Sequence, residues 1–258
     1  MRDAADDLAL LCDAVRGAGM IALGHWRDDP QTWHKPEGAG PVTEADLAAN
    51  AHLHACLHPA RPDYGWLSEE SDHDPARLTA RRCFIVDPID GTRAFIAGQS
   101  AWAVSVAVAT EGQITAAAVF LPAQDKLYTA AIGQGAHLNG APIRASAASD
   151  PDSATILATK PTLAPEHWRG TPPAKRHHRP SLAYRLCLVA EGRFDAMLSL
   201  HRTWEWDIAA ASLIVTEAGG TATTRRGAPL AFNQAAARTD GCLAAAPDLH
   251  GPLLRRLA

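Results

Sequence analysis

Apolar positions in the first part of the chain recur about every 3.6 residues. Leu8, Leu11, Cys12, Val15 and Ile21 share one face of a helix expected from Asp6 to Trp26. A loop punctuated by Pro30, Pro36, Gly38, Gly40 and Pro41 follows. Thr43 then has the position of an N-cap, with Asp46 three residues on, and opens a second helix that runs to about His58, ahead of Pro59. From there the period shortens. Trp66-Leu67 and Phe84-Ile85-Val86 are short apolar runs of strand character. Ala103 to Ala109 and Gln113 to Leu121 form a hairpin around Glu111-Gly112, and Leu127 to Ile132 supplies another strand before the Asn139-Gly140 turn.

Past Gly140 the texture changes. Residues 145 to 180 are rich in Ser, Pro and basic side chains, with one strand expected from Thr155 to Thr159. Leu182 to Gly192 reads as helix, Ala196 to Leu200 as extended chain, and Asp207 to Ala218 as a helix stopped by Gly219-Gly220. A strand at Cys242 to Ala245 and a short helix finish the chain. There is no internal repeat. Strands precede helices in blocks as often as they alternate, so a layered α/β sandwich fits better than a strict doubly wound sheet. The change of texture divides the chain into an N-terminal α+β part, 1–142, and a C-terminal α/β part, 143–258.

The 258 residues, 47% apolar and 20% charged, have the balance of a globular chain. With 24 basic and 28 acidic side chains the net charge is −4, which gives no footprint for a nucleic acid polymer. The longest apolar stretch, Ala101 to Ala109, is too short for a span of ~20 residues, so no integral membrane segment is expected. The start, Met1-Arg-Asp-Ala-Ala-Asp-Asp, is acidic and lacks a signal pattern. Five widely spaced cysteines, Cys12, Cys56, Cys83, Cys187 and Cys242, read as reduced thiols of a cytoplasmic protein.

Polar density peaks in four places: Pro41-Val-Thr-Glu-Ala-Asp46, Leu67-Ser-Glu-Glu-Ser71, Phe84-Ile-Val-Asp-Pro-Ile-Asp-Gly-Thr92 and Thr203-Trp-Glu-Trp-Asp207. In the third, an apolar strand delivers Asp87 and Asp90 to its C-terminal end, where open sheets place ligands. Pro88 stiffens the turn, and Gly91-Thr92 opens a helix whose free N–H groups favour an anion such as phosphate. Two carboxylates beside an anion repel it unless a hard cation lies between, and Mg²⁺ suits oxygen ligands of this kind. Taken singly, these features also fit a capped surface turn, Glu69-Glu70 a solvated pair, and Asp207 a helix N-cap. Together, acidic groups at strand ends and helix starts point to metal-dependent phosphate chemistry.

These segments resemble the inositol monophosphatase superfamily of magnesium-dependent, typically lithium-sensitive phosphomonoesterases. The resemblance rests on Glu69-Glu70, Asp87-Pro-Ile-Asp-Gly-Thr92, Trp206-Asp207-Ile-Ala-Ala210 and Glu217-Ala-Gly-Gly220, in order between about Pro41 and Ala246, with Lys35 eleven residues before Asp46. It implies an αβαβα sandwich, a homodimer, and hydrolysis of a small-molecule phosphate ester by metal-activated water with two to three Mg²⁺. Glu69, Asp87 and the Ile89 carbonyl are the implied ligands of one ion; Asp87, Asp90 and Asp207 those of a second. Glu69 would also hold a weaker third. Thr92 with Asp46 resembles the water-activating dyad, and the Gly91 and Thr92 N–H groups would hold phosphate. Most of these ligands fall in 1–142, whereas 143–258 contributes Asp207 and substrate contacts.

Inositol-selective members carry an acidic residue seven positions before the aspartate matched by Asp207; here that position is Leu200. Leu67-Ser-Glu-Glu70, the segment Ser181 to Gly192, and Glu205-Trp-Asp207 look more like bacterial 3′(2′),5′-bisphosphate nucleotidases. The expected substrate is therefore 3′-phosphoadenosine 5′-phosphate, with Ser181, Arg185, Leu200, Arg202, Trp204 and Glu205 as contacts. The alternatives are inositol 1-phosphate or histidinol phosphate, or a non-catalytic anion-binding protein on the same fold. His52, His54 and His58 crowd one segment with Cys56, but no second cluster has zinc-site spacing, so these and His177-His178 read as solvent-facing.

Overall fold

The computed structural model describes residues 2–35, 40–173 and 175–258; the expected loop residues Pro36 and Gly38 lie outside them. The chain runs α1 (Arg2–His25), β1 (Thr32–His34), β2 (Pro41–Thr43), α2 (Glu44–Ala60), β3 (Gly65–Ser68), β4 (Arg82–Asp90) and α3 (Thr92–Ile96). It continues as β5 (Ala103–Thr110), β6 (Gln113–Leu121), β7 (Lys126–Ala131), β8 (Ala136–Leu138) and β9 (Ala141–Pro142). The second half holds β10 (Thr155–Ala158), β11 (Lys175–His177), α4 (Leu182–Ala190), β12 (Ala196–Ser199), β13 (Thr203–Trp204) and α5 (Glu205–Glu217). It ends with β14 (Thr221–Thr223), β15 (Arg238–Thr239), β16 (Cys242–Ala245) and α6 (Pro247–Arg256).

β3 to β9 lie in sequence order in one seven-stranded sheet, with β3 and β4 parallel and the other neighbours antiparallel. A five-stranded sheet has the order β11-β10-β12-β16-β14. Alternation along β4 explains how five layers form. Phe84 and Val86 face a cluster with Leu11, Val15, Leu53 and Leu57 of α1 and α2. Cys83 and Ile85 face the opposite cluster, with Leu186 and Val189 of α4 and Ile208 and Ile214 of α5. The smaller sheet repeats the device: Met197 joins the α4–α5 layer, while Leu198 and Leu243 pack on Leu249 and Leu253 of α6. Each such fully buried aliphatic side chain contributes ~1.5–3 kcal/mol. The expected αβαβα sandwich is the fold, and its central cluster draws residues from both 1–142 and 143–258.

α1 is by length and composition apolar enough to cross a membrane. Here it places Leu11, Ala14, Val15 and Ala18 in the core instead. Cys83, Cys187 and Cys242 are buried, and all five cysteines are free thiols.

Candidate active site

The strand ends position the acidic groups. Ser68 pairs in parallel with Val86, and the Glu69 N–H donates to the Val86 carbonyl at 3.1 Å, so Glu69 leaves β3 beside Asp87. The pairing of β4 with β5 shifts register between Asp87 and Asp90, a bulge that lets two aspartates three residues apart serve one place. Gly91 then turns the chain at φ 98°, where a Cβ would meet the Ala101 carbonyl at 3.3 Å. The first backbone bonds of α3 run from Ala94 and Phe95 N–H to the Gly91 carbonyl, so the Gly91 and Thr92 N–H groups precede that ladder.

α5 brings in the third aspartate. It begins two residues earlier than expected, at Glu205, with Trp204 as N-cap, so Asp207 lies inside the first turn rather than capping it. Carboxylate oxygens of Asp87, Asp90 and Asp207 lie within 4.8 Å of one another, the first two buried and the third half-buried. Asp87 Oδ1 is buried with no hydrogen-bond partner among the described residues. Burial, followed by repulsion from Glu69, Asp90 and Asp207, drives the Asp87 carboxyl far above its ordinary range. Burial and then Asp90 do the same to Asp207. An all-oxygen cage holding an orphaned carboxylate oxygen fits a hard divalent cation.

Asp90 is oriented from behind. Its Oδ2 accepts from Ser181 Oγ at 2.5 Å and Ala183 N–H at 2.6 Å, and its Oδ1 from Leu182 N–H at 3.2 Å, all at the start of α4. Glu69 is held differently: Lys35 Nζ donates to Glu69 Oε1 at 2.7 Å and to Glu70 Oε1 at 2.6 Å. Burial and the adjacent Glu69 push Glu70 up to about 7 despite that lysine.

The expected capping box is present. Thr43 N–H and Oγ1 donate to Asp46 Oδ2 at 2.8 and 2.6 Å. The free Oδ1 of Asp46 lies 3.1 Å from Thr92 Oγ1, which is equally near the Ile89 carbonyl. Burial raises Asp46 to about 6 against these hydrogen bonds. Thr92 thus offers one proton to two acceptors, and a cation on the Ile89 carbonyl would leave Asp46 as the remaining one.

Among the expected substrate contacts, Arg185 lines a cavity of about 430 Å³ with Glu69, Gly91, Thr92, Arg93 and His178. It is 7% exposed, its Nε donating to the Arg179 carbonyl and its Nη2 to the Pro180 carbonyl at 3.3 Å, with His178 Nε2 at 3.0 Å. Ser181 is fully buried and serves Asp90. Glu205 is fully buried and accepts the Asn233 and Gln234 N–H groups. Leu200 belongs to the α6 core and lines a different cavity with Glu166, His167 and Arg225. Arg202 is exposed. Trp204 stacks on Trp206 at 4.6 Å between ring centres and carries the Arg238 guanidinium 3.6 Å from its ring centre. Arg93 was not singled out from sequence, and His178 was read only as solvent-facing; it is exposed and lines this cavity as well. Arg93 directly follows Thr92, whereas His178 comes to the cavity from far along the chain and also bonds Arg185.

A family model described as the inositol monophosphatase family matches residues 3–257. The chain is 37% identical over 200 residues to an inositol-1-monophosphatase of Rhizobium meliloti, covering 72% of this chain and 73% of that protein. It is 33% identical to a histidinol-phosphatase of Chlorobaculum parvum, with 86% of each covered. A 3′-phosphoadenosine 5′-phosphate phosphatase of Mycobacterium leprae is 34% identical, over 88% of this chain and 84% of that one. Among solved structures, the extragenic suppressor protein suhB of Bartonella henselae superposes with a TM-score of 0.83 at 29% identity, covering 97% of both chains.

Proposed function

Because the chain belongs to the inositol monophosphatase family of metal-dependent phosphomonoesterases, we propose that it is a Mg²⁺-dependent hydrolase of a small phosphate ester with a second anionic group, namely 3′-phosphoadenosine 5′-phosphate. One observation carries the substrate assignment. Arg185, its guanidinium fixed by two backbone carbonyls and His178, lines the same cavity as Glu69, Gly91 and Thr92, with Arg93 beside it. Beyond its phosphate, an inositol ring presents only hydroxyls, and histidinol phosphate presents an amine that these cations repel. A second phosphate gains from a planar, pre-oriented guanidinium. This support replaces the one expected from Leu200, Arg202 and Trp204.

Glu69, Asp87, the Ile89 carbonyl, Asp90 and Asp207 would hold two to three Mg²⁺. Such ions, when bound, supply an acidified water and neutralise charge on the transferring phosphoryl group. The chain's own groups do the rest. Thr92 Oγ1 accepts the attacking water's proton as it passes its own to Asp46 Oδ1. Thr43 holds Asp46 in place from the opposite oxygen. The Gly91 and Thr92 N–H groups steady the phosphate oxygens, and Ser181 with the α4 amides fixes Asp90 against recoil. We place the enzyme in the cytoplasm, in keeping with its free thiols, and read it as a homodimer by its family.

The test compares kcat/KM for 3′-phosphoadenosine 5′-phosphate, inositol 1-phosphate and histidinol phosphate in Mg²⁺. The bisphosphate should lead by at least about tenfold, equivalent to ~1.4 kcal/mol. Arg185→Gln should cut that lead while sparing inositol 1-phosphate. A wild-type preference for inositol 1-phosphate overturns the substrate assignment.

A further inference from the structure

His54 and His58 lie one turn apart on α2, with ring centres 5.0 Å apart and planes tilted 36°. Both line a cavity of about 390 Å³ together with Asp63, Trp66 and Asp72. The Nδ1 of half-buried His58 is itself buried and has no hydrogen-bond partner among the described residues, although imidazole nitrogens in such positions normally find one. His54 is braced edge-on by Trp66 at 4.9 Å.

Other polar groups of the same wall are already committed. Arg77 Nη2 donates to the Gln234 carbonyl at 3.0 Å, Asp74 Oδ1 accepts the Ala76 N–H at 2.8 Å, and Tyr64 Oη donates to Asp7 Oδ2 at 3.0 Å. Asp63 and Asp72 are exposed. Two imidazoles on one tetrahedral ion, with nitrogens ~2.1 Å from it, stand with ring centres roughly 5 Å apart. The pair already has that separation.

We propose that His54 and His58, completed by the carboxylate of Asp63 or Asp72, form a second metal site for a borderline divalent cation of the zinc or nickel class. Sequence spacing offered only the histidine pair. The fold adds the carboxylates from the turn after α2 and the loop after β3. Among the described residues only the three aspartates bring three ligand atoms within 4.8 Å, so the histidine site closes when an exposed carboxylate turns inward. Nitrogen donors select Zn²⁺ or Ni²⁺ over Mg²⁺, whereas the aspartate cage offers oxygen alone. The two sites therefore differ in the ion they take.

Calorimetric titration of the untagged chain with Zn²⁺, in millimolar Mg²⁺ to fill the aspartate cage, tests this. One Zn²⁺ per chain should bind. His54→Ala and His58→Ala should each weaken it by at least about tenfold, as should the Asp63→Asn/Asp72→Asn pair, a change of ~1.4 kcal/mol or more. Each variant should keep its Mg²⁺-dependent phosphatase rate within about twofold, which shows that it folds; glutamine replaces alanine at either histidine if it does not. No zinc binding above the Mg²⁺ background overturns the proposal. So does binding that survives the His54→Ala/His58→Ala pair, or that follows Asp87→Asn instead.

Discussion

Replacing Asp87 by Asn should make the ion-free protein more stable and the enzyme inactive. Asp87 is 1% exposed, its Oδ1 has no partner among the described residues, and burial and four carboxylate neighbours disfavour its charge. Unit charges at the 4.8 Å limit of the aspartate cluster repel by ~3.5 kcal/mol at an effective dielectric near 20. Proton uptake relieves part of that, and Asn removes what remains at pH 8. In EDTA the Asp87→Asn protein should thus unfold several degrees higher, at roughly 2–4 °C per kcal/mol for a chain of this size. Mg²⁺ reverses the order. At about a hundredfold excess over Kd, one ion adds ~2.7 kcal/mol to the wild type, and the variant, lacking a shared ligand, should gain little. Phosphate release should fall by roughly 10³-fold or more, since several kcal/mol of transition-state stabilisation go with the charge. Thermal unfolding in EDTA and in Mg²⁺, alongside phosphate release, reads all three effects. A variant that is less stable in EDTA, or that keeps the Mg²⁺ shift or more than about a tenth of the rate, would refute the cage.

Thr92→Ala should lower kcat by roughly 10²-fold with KM within a few-fold, because the relay to Asp46 is lost; a sharp rise in KM at full kcat would make Thr92 a phosphate-positioning residue instead. Asp46 must be ionised to accept that proton, and burial raises it from 3.8 to about 6. The pH profile of kcat/KM should therefore fall below about pH 6, and an acid limb at the ordinary carboxylate range would remove Asp46 from the relay. Leu200→Glu should cost roughly 2 kcal/mol or more of stability by burying a carboxyl beside Leu243 and Leu257, while leaving the substrate ratio within about twofold. A changed ratio would place Leu200 at the substrate after all.

The layers were legible because their signals are local. Alternation along β4, the 3.6-residue stripe of α1 and the Thr43–Asp46 capping box each occupy a few consecutive residues and act within them. Cys242–Ala245 was placed to the residue, a buried run between turn residues. Strand Phe84–Val86 came out too short because Pro88 reads as a terminator. The bulge between Asp87 and Asp90 absorbs it, and β4 runs on to Asp90. The small strands β1, β2, β8, β9, β11 and β13 to β15 went unread, since strands of two or three residues are too short to show a period and are set by their pairing partners.

The same distinction separates the acidic cluster from the expected substrate contacts. Asp87, Asp90, Gly91 and Thr92 are neighbours in sequence, so one motif shows the chemistry, and parallel pairing of β3 with β4 puts Glu69 beside them. Substrate contacts carry no such motif. Counting seven positions back from Asp207 crosses the turn between β12 and β13, where the path is fixed by pairing of β12 with β16 and β13 with β15 rather than by local pattern. That pairing sends Leu200 into the α6 core. Ser181 and Glu205 show a subtler confusion: each is a polar residue beside the site whose hydrogen-bonding groups are spent on scaffolding, Ser181 on Asp90 and Glu205 on two backbone amides. A polar residue near a metal motif is as readily a brace as a contact, and only the partners of its donors and acceptors tell which. By that criterion Arg185, the contact proposed above, would be both. Its Nε and Nη2 are held by Arg179, Pro180 and His178, and the side chain still lines the cavity beside Thr92, so the scaffold aims the charge it exposes.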